Sequence, residues 1–299
     1  MSLLRIPQGE IRASAIPTWN WRGRIGTYAS FVKIEHTVFS LPLIFAGAWL
    51  GLRRAPSLHL AALLMLAAAG ARAVGMGLNR LVDAELDARN PRTKHRELPR
   101  GAMTIGGAWG LIAAAGLLYV AASALIAPIC LWLSPVPVLL FAGYPYLKRW
   151  TSLAHLGLGL AWSLAPVAGY LAATHTLRGI SQVQGLWAFS LLWVAGFDVI
   201  YATMDEAFDR AEGLHSLPAR LGKARALRIA ALLHAMAFAA LCGFWRGELG
   251  SASSFAWLMA VGAALLWEHA VASRRPEVAF FHLNAVIGFF VLLFVMAGI

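Results

Sequence analysis

Charged residues are scarce in this chain. Only 13% of its 299 residues are Asp, Glu, Lys or Arg, whereas 60% are hydrophobic, and the mean hydropathy is +0.67. A soluble domain of this size would expose too much apolar surface to water, so most of the chain must be solvated by lipid. The composition therefore predicts an integral membrane protein.

Cysteine is scarce as well. Cys130 and Cys242 each stand alone within an apolar run. A disulfide framework needs several cysteines and a zinc site needs closely spaced ones, so neither is expected. The first 33 residues are polar and basic and lack an apolar core of roughly 7–15 residues, so no cleaved signal peptide is expected either.

Long apolar runs dominate what is present. Nine of them approach the ~20 residues that a spanning helix needs: 34–52, 59–80, 105–124, 127–147, 153–173, 185–204, 225–245, 252–272 and 279–298. The expected fold is an all-α integral membrane protein, with about nine transmembrane helices around a central cavity capped by cytoplasmic loops. Residues 1–33 are expected to be a cytoplasmic surface segment and residues 34–299 a single transmembrane domain.

The net charge of +11 at pH 7 could indicate a nucleic-acid partner, but the distribution of the cations indicates membrane orientation instead. With nine spans, most Lys and Arg fall in the N-terminal tail and in the loops after even-numbered spans. The loops on the other side hold only Arg53, Arg54, Arg178 and Arg246. The positive-inside rule then places the N-terminus and the long loops in the cytoplasm. We expect a multi-pass protein of the inner (cytoplasmic) membrane with no nucleic-acid partner.

Two stripes of oxygen-bearing side chains stand where apolar runs end. Asn79, Asp83 and Asp87 follow one another at four-residue intervals at the end of the second run. On a helix such side chains drift by only about 40° per step and climb roughly 12 Å in all, so they form one stripe. Asp198, Tyr201, Asp205 and Asp209 form a second stripe at the end of the sixth run.

Carboxylates alone would repel a diphosphate, but Mg²⁺ takes oxygen ligands and joins one or two carboxylates to phosphate oxygens. Cations flank the first stripe, and guanidinium groups such as those of Arg92 and Arg96 bind phosphate bidentately. Lys94 is an alternative to them. Tyr144 and Lys148, one turn apart, are either two more donors or an aromatic belt with a snorkelling lysine. The pattern favours a Mg²⁺–diphosphate site whose substrate carries a hydrophobic tail along the spans.

Arg72 lies inside the second run, two turns before Asn79 and on nearly the same face. An arginine within a span is costly unless it faces a cavity or a partner. It could form an ion pair with Glu268 of the eighth run, or provide a cation at the floor of the pocket. His36 and Ser40, one turn apart in the first run, could face the same cavity.

The two long cytoplasmic loops resemble each other. Each opens with carboxylates spaced by four and then carries a Leu-Pro and a Gly: Leu98-Pro99 with Gly101, and Leu217-Pro218 with Gly222. Internal repeats of this kind place a site at the interface of two related halves. We expect halves of roughly 34–150 and 151–299.

The two stripes resemble the aspartate-rich motifs of the UbiA superfamily of intramembrane aromatic prenyltransferases. Four further segments most resemble its 4-hydroxybenzoate polyprenyltransferase group: Phe31-Val32-Lys33-Ile34-Glu35-His36-Thr37, Asn90-Pro91-Arg92-Thr93, Arg96-Glu97-Leu98-Pro99 and Asp205-Glu206-Ala207-Phe208-Asp209. They resemble especially the branch tied to menaquinone made through futalosine, whose acceptor is 1,4-dihydroxy-6-naphthoate.

The resemblance implies a role for each site residue. Asn79, Asp83, Asp87, Asp205 and Asp209 would be Mg²⁺–diphosphate ligands, the four aspartates being catalytic. Arg92, Arg96, Tyr144 and Lys148 would contact the diphosphate, Asp198 and Tyr201 would support them, and Arg72 would lie near the acceptor. Ala207 and Phe208 separate Glu206 from Asp209, which leaves the role of Glu206 open.

The implied activity is Mg²⁺-dependent transfer of a polyprenyl group from its diphosphate to a hydroxylated aromatic acid, of the 4-hydroxybenzoate or 1,4-dihydroxy-6-naphthoate type, in ubiquinone or menaquinone biosynthesis. The alternatives are another acceptor (haem, homogentisate, chlorophyllide or a lipid glycerol), or a non-catalytic prenyl-lipid binder or transporter. The expected partners are the two substrates and the lipid bilayer.

Overall fold

The computed structural model describes residues 21–33 and 37–299, and in these residues all regular secondary structure is helical. The α-helices are α1 Trp21–Val32, α2 Thr37–Leu52, α3 Leu58–Val82, α4 Ala84–Arg89, α5 Ile105–Ile126, α6 Pro128–Leu133, α7 Pro135–Leu147, α8 Ala154–Thr174, α9 Gln184–Ala202, α10 Glu206–Ala211, α11 Leu217–Leu221, α12 Lys223–Phe244, α13 Ala252–Ala272, α14 Pro276–Val278 and α15 Asn284–Gly298. Short 3₁₀ segments lie at Ile180–Val183 and Thr203–Asp205, and π-helical segments at Trp245–Leu249 and Ala279–Leu283. The expected all-α class is confirmed.

Seven stretches among the described residues are long and apolar enough to cross a membrane. They are Leu58–Val82, Ile105–Ile126, Pro128–Leu147, Ala154–Thr174, Ile180–Ala211, Lys223–Leu249 and Ala252–Ala272. The helices at the first and last predicted spans, α2 and α15, have 16 and 15 residues. The helix α15 directly follows α14 and the π-helical segment, so helical backbone runs from Pro276 to Gly298. A multi-pass membrane protein is confirmed, and the count of nine spans stays a prediction.

Many large apolar side chains lie on the outer surface. Leu117, Trp132 and Leu266 expose 74%, 81% and 76% of their area, whereas Trp193 and Phe294 are fully buried. Large exposed side chains of this kind, spread over several helices, are stable only against lipid. The arrangement matches the composition, which leaves too few polar residues to cover the surface.

The helices form one bundle in which α2 packs against α8, α8 against α9 and α9 against α12. The helix α13 packs against α15, and α15 packs back against α2, while α3 packs against α5 and α7. At the crossing of α2 and α8 the backbones touch. A Cβ atom on Gly47 would lie 1.9 Å from the Pro166 carbonyl oxygen, and one on Gly169 would lie 1.9 Å from that of Ile44. Small residues at such crossings permit close packing in membranes.

At the N-terminal end, α1 packs against α3. Phe31 is fully buried in a cluster with Val74 and Ile112, so this end of the predicted surface segment is part of the folded core. The rest of that segment, before Trp21, lies outside the described residues, as does His36.

Candidate active site

The first stripe contains a break in its helix. The helix α3 ends at Val82, Asp83 has φ −96° and ψ 4°, and α4 begins at Ala84. These angles lie in the bridge region, where many active-site residues are found. Backbone hydrogen bonds continue across the break, from Asp83 N–H to Asn79 O at 3.0 Å and from Asp87 N–H to Asp83 O at 2.8 Å. The stripe is therefore continuous, but the expectation of a single regular helix is wrong at its central carboxylate.

The second stripe breaks in the same way. The helix α9 ends at Ala202, a 3₁₀ turn follows, and Asp205 has φ −109° and ψ 7° before α10 begins. Both α4 and α10 have six residues and carry acidic side chains in their first turn. Negative charge there is favourable because the N-terminal end of a helix carries partial positive charge.

The two stripes face each other across a polar pocket of about 210 Å³. It is lined by every predicted site residue except Arg72: Asn79, Asp83, Asp87, Arg92, Arg96, Tyr144, Lys148, Asp198, Tyr201, Asp205 and Asp209. Because these residues come from α3, α4, α7, α9, α10 and the segments beside them, only the folded bundle brings them together.

Cations hold the carboxylates of the first stripe. Asp83 Oδ2 accepts hydrogen bonds from Lys148 Nζ at 2.6 Å and from Asn79 Nδ2 at 3.4 Å. Both oxygens of Asp87 accept from Arg96 Nη1 at 2.8 Å. Burial raises the pKa of Asp83, and the charge of Lys148 partly opposes this effect.

The second stripe is bound by the loop that follows the first. Arg92 Nε donates to Asp205 Oδ1 at 2.8 Å, its Nη2 donates to Asp205 Oδ2, and Asn90 Nδ2 donates to Oδ1 at 2.9 Å. Arg92 Nη1 also donates to the Tyr201 hydroxyl at 2.6 Å, and the guanidinium lies 4.8 Å from the Tyr201 ring centroid. Burial lowers the pKa of Arg92, but the bonds to Asp205 and Tyr201 outweigh it and raise the pKa. Arg92, predicted to bind diphosphate, thus connects the loop that follows the first stripe to the second stripe.

The sequence-based reasoning missed His155, which partners Asp198. His155 Nδ1 lies 2.6 Å from Asp198 Oδ2, and the Leu217 backbone N–H points at His155 Nε2 at 3.3 Å. Since Nε2 accepts that bond, the proton of a neutral imidazole is on Nδ1 and is donated to Asp198. The isolated histidine at the start of the fifth predicted span was the available signal. Asn90 was also missed, although its motif was recognised.

An apolar cavity of about 350 Å³ adjoins the polar pocket, and Tyr144 lines both. Its walls are almost entirely apolar and extend to Leu177 and Ile180, with Arg72 and Ser40 among the few polar side chains. The Arg72 guanidinium lies 5.4 Å from the centroid of the Trp162 ring.

Glu268, considered as a partner for Arg72, has other neighbours. Asn284 Nδ2 donates to its Oε1 at 3.1 Å, and His234 Nδ1 lies 3.6 Å from its Oε2. The Arg72 side chain lines the apolar cavity and not the polar pocket, and its role near the acceptor stays a prediction.

The oxygen-rich lining suits Mg²⁺ only if the substrate supplies some of the ligands. Within residues 21–33 and 37–299, no group of three or more His, Cys, Asp or Glu side chains could hold a metal ion by itself. Asp83 Oδ1, however, is buried without a hydrogen-bond partner in this described part of the chain, and lies 4.0 Å from Arg149 Nη2. An ion held by one or two carboxylates and by phosphate oxygens fits this arrangement.

Comparison with known proteins decides the family, because the UbiA prenyltransferase family model matches residues 40–286. The chain belongs to the UbiA prenyltransferase family. The expected class, a membrane-embedded prenyl-transferring enzyme, is thereby confirmed. A 4-hydroxybenzoate octaprenyltransferase of Vibrio campbellii is 29% identical over 259 residues, which cover 85% of this chain and 89% of the relative.

Two solved structures resemble this UbiA family member. The apo structure of a UbiA homolog from Aeropyrum pernix K1 is 34% identical, with a TM-score of 0.79, and the match covers 86% of this chain and 96% of that one. A UbiA homolog from Archaeoglobus fulgidus bound to DMAPP and Mg²⁺ is 20% identical, with a TM-score of 0.69 and coverage of 89% and 99%. The second likeness shows a shared fold.

Proposed function

We propose that this enzyme transfers a polyprenyl group from polyprenyl diphosphate to a hydroxylated aromatic acid, of the 4-hydroxybenzoate or 1,4-dihydroxy-6-naphthoate type, in quinone biosynthesis. One observation carries the proposal: a pocket of carboxylates and cations meets, at Tyr144, an apolar cavity that holds Arg72. The polar pocket suits a diphosphate, the cavity suits a prenyl chain, and the arginine suits an acid. The similarity to an enzyme named for 4-hydroxybenzoate supports the acceptor class.

In this proposal Asn79, Asp83, Asp87, Asp205 and Asp209 hold Mg²⁺. The Archaeoglobus fulgidus homolog, solved with DMAPP and Mg²⁺, supports the metal. Bound there, Mg²⁺ would neutralise the diphosphate and make it a better leaving group.

The ion pairs between the cations and the carboxylates of the pocket would be replaced when substrate binds. Lys148, Arg96 and Arg92 each bind a carboxylate of the pocket. In the complex they would turn to phosphate oxygens, which guanidinium and ammonium groups bind strongly, and release the carboxylates. The released carboxylates would then hold Mg²⁺.

The chain's own residues would then control the prenyl cation formed when the C1–O bond ionises. The apolar cavity excludes water, and the rings of Tyr144 and Trp162 offer faces that stabilise a cation. Arg72 would hold the acceptor carboxylate, so that the ring carbon ortho to the hydroxyl faces the cation. That carbon forms the new C–C bond, and loss of its proton restores the aromatic ring.

The proposal also covers topology. The polar pocket would face the cytoplasm, the enzyme would reside in the inner membrane, and halves of roughly 34–150 and 151–299 would form one transmembrane domain behind the surface segment 1–33. The matching backbone breaks at Asp83 and Asp205 support two related halves.

Membranes containing the protein, supplied with a polyprenyl diphosphate, Mg²⁺, 4-hydroxybenzoate and 1,4-dihydroxy-6-naphthoate together, should yield one prenylated acid by mass spectrometry. Membranes carrying the Asp83→Ala variant are the control. Product from haem, homogentisate, chlorophyllide or a lipid glycerol instead would contradict the acceptor class. Binding of prenyl diphosphate without Mg²⁺-dependent release of diphosphate, whatever acceptor is supplied, would indicate a binder or transporter.

A further inference from the structure

A buried ion pair lies beside the polar pocket without lining it. Arg80 Nη1 donates to Glu97 Oε2 at 2.7 Å, and Ser30 Oγ donates to Glu97 Oε1 at 2.6 Å. The Arg80 and Glu97 side chains expose only 3% and 5% of their area. Both carboxylate oxygens of Glu97 are therefore engaged, one by α3 and one by α1.

The three residues connect the parts of the chain that carry the pocket's charged groups. Arg80 directly follows Asn79, and Glu97 directly follows Arg96, whose guanidinium binds Asp87. The Glu97 carbonyl also accepts a hydrogen bond from Met103 N–H at 3.1 Å. Glu97 is thus fixed by both its side chain and its backbone, next to a residue whose position determines the shape of the pocket.

The helix α1 covers this contact. The Arg80 guanidinium lies 5.6 Å from the centroid of the Phe31 ring, and Phe31 is fully buried. Burial would raise the pKa of Glu97, but the bond from Ser30 and the charge of Arg80 outweigh it and hold the pKa below its usual value. Glu97 is therefore charged at neutral pH, and the pair is a true ion pair.

Stability alone is a weak reason for such a pair. Removing two charges from water costs about as much as their attraction returns, so a buried ion pair contributes little net stability but defines one geometry. The geometry defined here is the position of the loop with Arg92 and Arg96 relative to α3.

We propose that Glu97 is a positioning residue for diphosphate binding: anchored by Arg80 and Ser30, it fixes the backbone from which Arg96 reaches the pocket. The role of Arg96 rests on the proposed function. The site needs α1 in place, because Ser30 provides one of the two anchors. This gives the N-terminal surface helix a part in substrate binding although it does not touch the pocket.

The test uses the full-length protein in detergent and compares Glu97→Gln with wild type. The variant keeps the side-chain shape and removes the charge. We expect the KM for prenyl diphosphate and the inhibition constant of inorganic diphosphate with Mg²⁺ to rise roughly tenfold or more, because small displacements of a binding group are costly. The KM for the acceptor should stay unchanged. An equal rise in both KM values, or no rise, would overturn the proposal.

A double-mutant cycle separates positioning from a general structural role. If Glu97 acts through Arg96, the Glu97→Gln/Arg96→Gln variant should bind inorganic diphosphate no more weakly than Arg96→Gln alone. Additive losses would refute the idea. Arg89→Gln is the matched control, since it breaks the exposed pair with Glu212 (3.0 Å) near the same loop, and it should leave the inhibition constant unchanged.

Two provisions keep the test decisive. If Glu97→Gln does not fold, Ser30→Ala removes one bond without leaving a buried charge unpaired, and it should raise the same inhibition constant about two- to fivefold. No change in that variant would count against the proposal. If the wild-type protein transfers no prenyl group to any acceptor, the proposed function fails, whereas the binding of inorganic diphosphate still tests the positioning role.

Discussion

The two carboxylate stripes have the same backbone conformation at their central aspartates but differ in the side chains that bind these aspartates. Asp83 and Asp205 occupy the same backbone conformation, each between a long helix and a six-residue helix. The partners that come from outside the stripes, however, all lie between them in sequence. Lys148 binds Asp83, Arg96 binds Asp87, and Arg92 with Asn90 binds Asp205. The loop after the first stripe thus contacts the second stripe through Asn90 and Arg92. The second stripe contributes the Tyr201 hydroxyl to this contact.

This difference indicates that the two stripes contribute unequally to the site. Two equivalent halves would each provide carboxylates and their own cations. Here Arg92, Arg96 and Lys148 all precede the second stripe in sequence, and Arg92 neutralises Asp205. Substitutions at corresponding positions of the two stripes should therefore have unequal effects.

The largest effect is expected at the central carboxylates. Asp83→Ala or Asp205→Ala should lower kcat/KM by roughly 10²–10³-fold or abolish transfer, because in the proposed site each removes a carboxylate that holds Mg²⁺ against the leaving diphosphate. Asp83→Ala should be the more severe, since Asp83 is the more buried of the two, with 6% against 14% of the side chain exposed. Prenyl transfer is measured with folded, monodisperse protein, and full activity in either variant would contradict the metal assignment.

Exchanging cations tests the role of the loop. Lys148→Gln should raise the KM for prenyl diphosphate by roughly ten- to a hundredfold, as expected for one charged contact. Arg92→Gln should raise it further, because Arg92 also ties the loop to Asp205 and Tyr201. Steady-state kinetics with varied prenyl diphosphate measures both. An equal rise in KM for both variants would show that the contact of Arg92 with Asp205 and Tyr201 does not contribute to substrate binding.

His155 tests a contact that only the second stripe has. His155→Gln should lower the unfolding temperature and cost about 1.5–3 kcal/mol of stability, since half-buried Asp198 loses its hydrogen bond to a buried imidazole. Thermal unfolding in detergent compares it with His59→Gln, an exposed histidine on α3. If both variants unfold at the wild-type temperature, the His155–Asp198 bond does not contribute to stability.

The smallest effect is expected for Tyr201→Phe. The variant loses the bond from Arg92 Nη1 but keeps the ring beneath the guanidinium. A neutral acceptor is worth about 1 kcal/mol, so the KM for prenyl diphosphate should rise roughly fivefold. A loss as large as that of Arg92→Gln would mean that Tyr201 touches the substrate directly.

Much of the site was predictable because its residues follow simple spacings. Asn79, Asp83 and Asp87 repeat every four residues at the end of an apolar run, and this places them on one face whether or not the helix is regular. For the same reason the break at Asp83 was not predictable, since a short bridge-region turn leaves the spacing unchanged.

Hydrogen-bond partners that are distant in sequence could not be predicted from residue spacing. Arg92 and Asp205 are separated by 113 residues, and His155 and Asp198 by 43. Which side chains meet at such separations is determined by the packing of α8 and α9 against each other and by the path of the loop. Asp198 stands at the end of an apolar run, where a carboxylate needs a partner, but many polar side chains could have served.

Tyr144 has one further consequence, because its ring stands between the polar pocket and the apolar cavity. In the reaction proposed here, a carbocation forms on one side of that ring while water has access to the other. The fidelity of the enzyme would then depend on how completely the Tyr144 side chain keeps water out of the apolar cavity. It can be measured as prenylated acid formed per molecule of free polyprenol released. An enzyme with a smaller residue at this position could turn over at a normal rate and still waste its lipid substrate by hydrolysis.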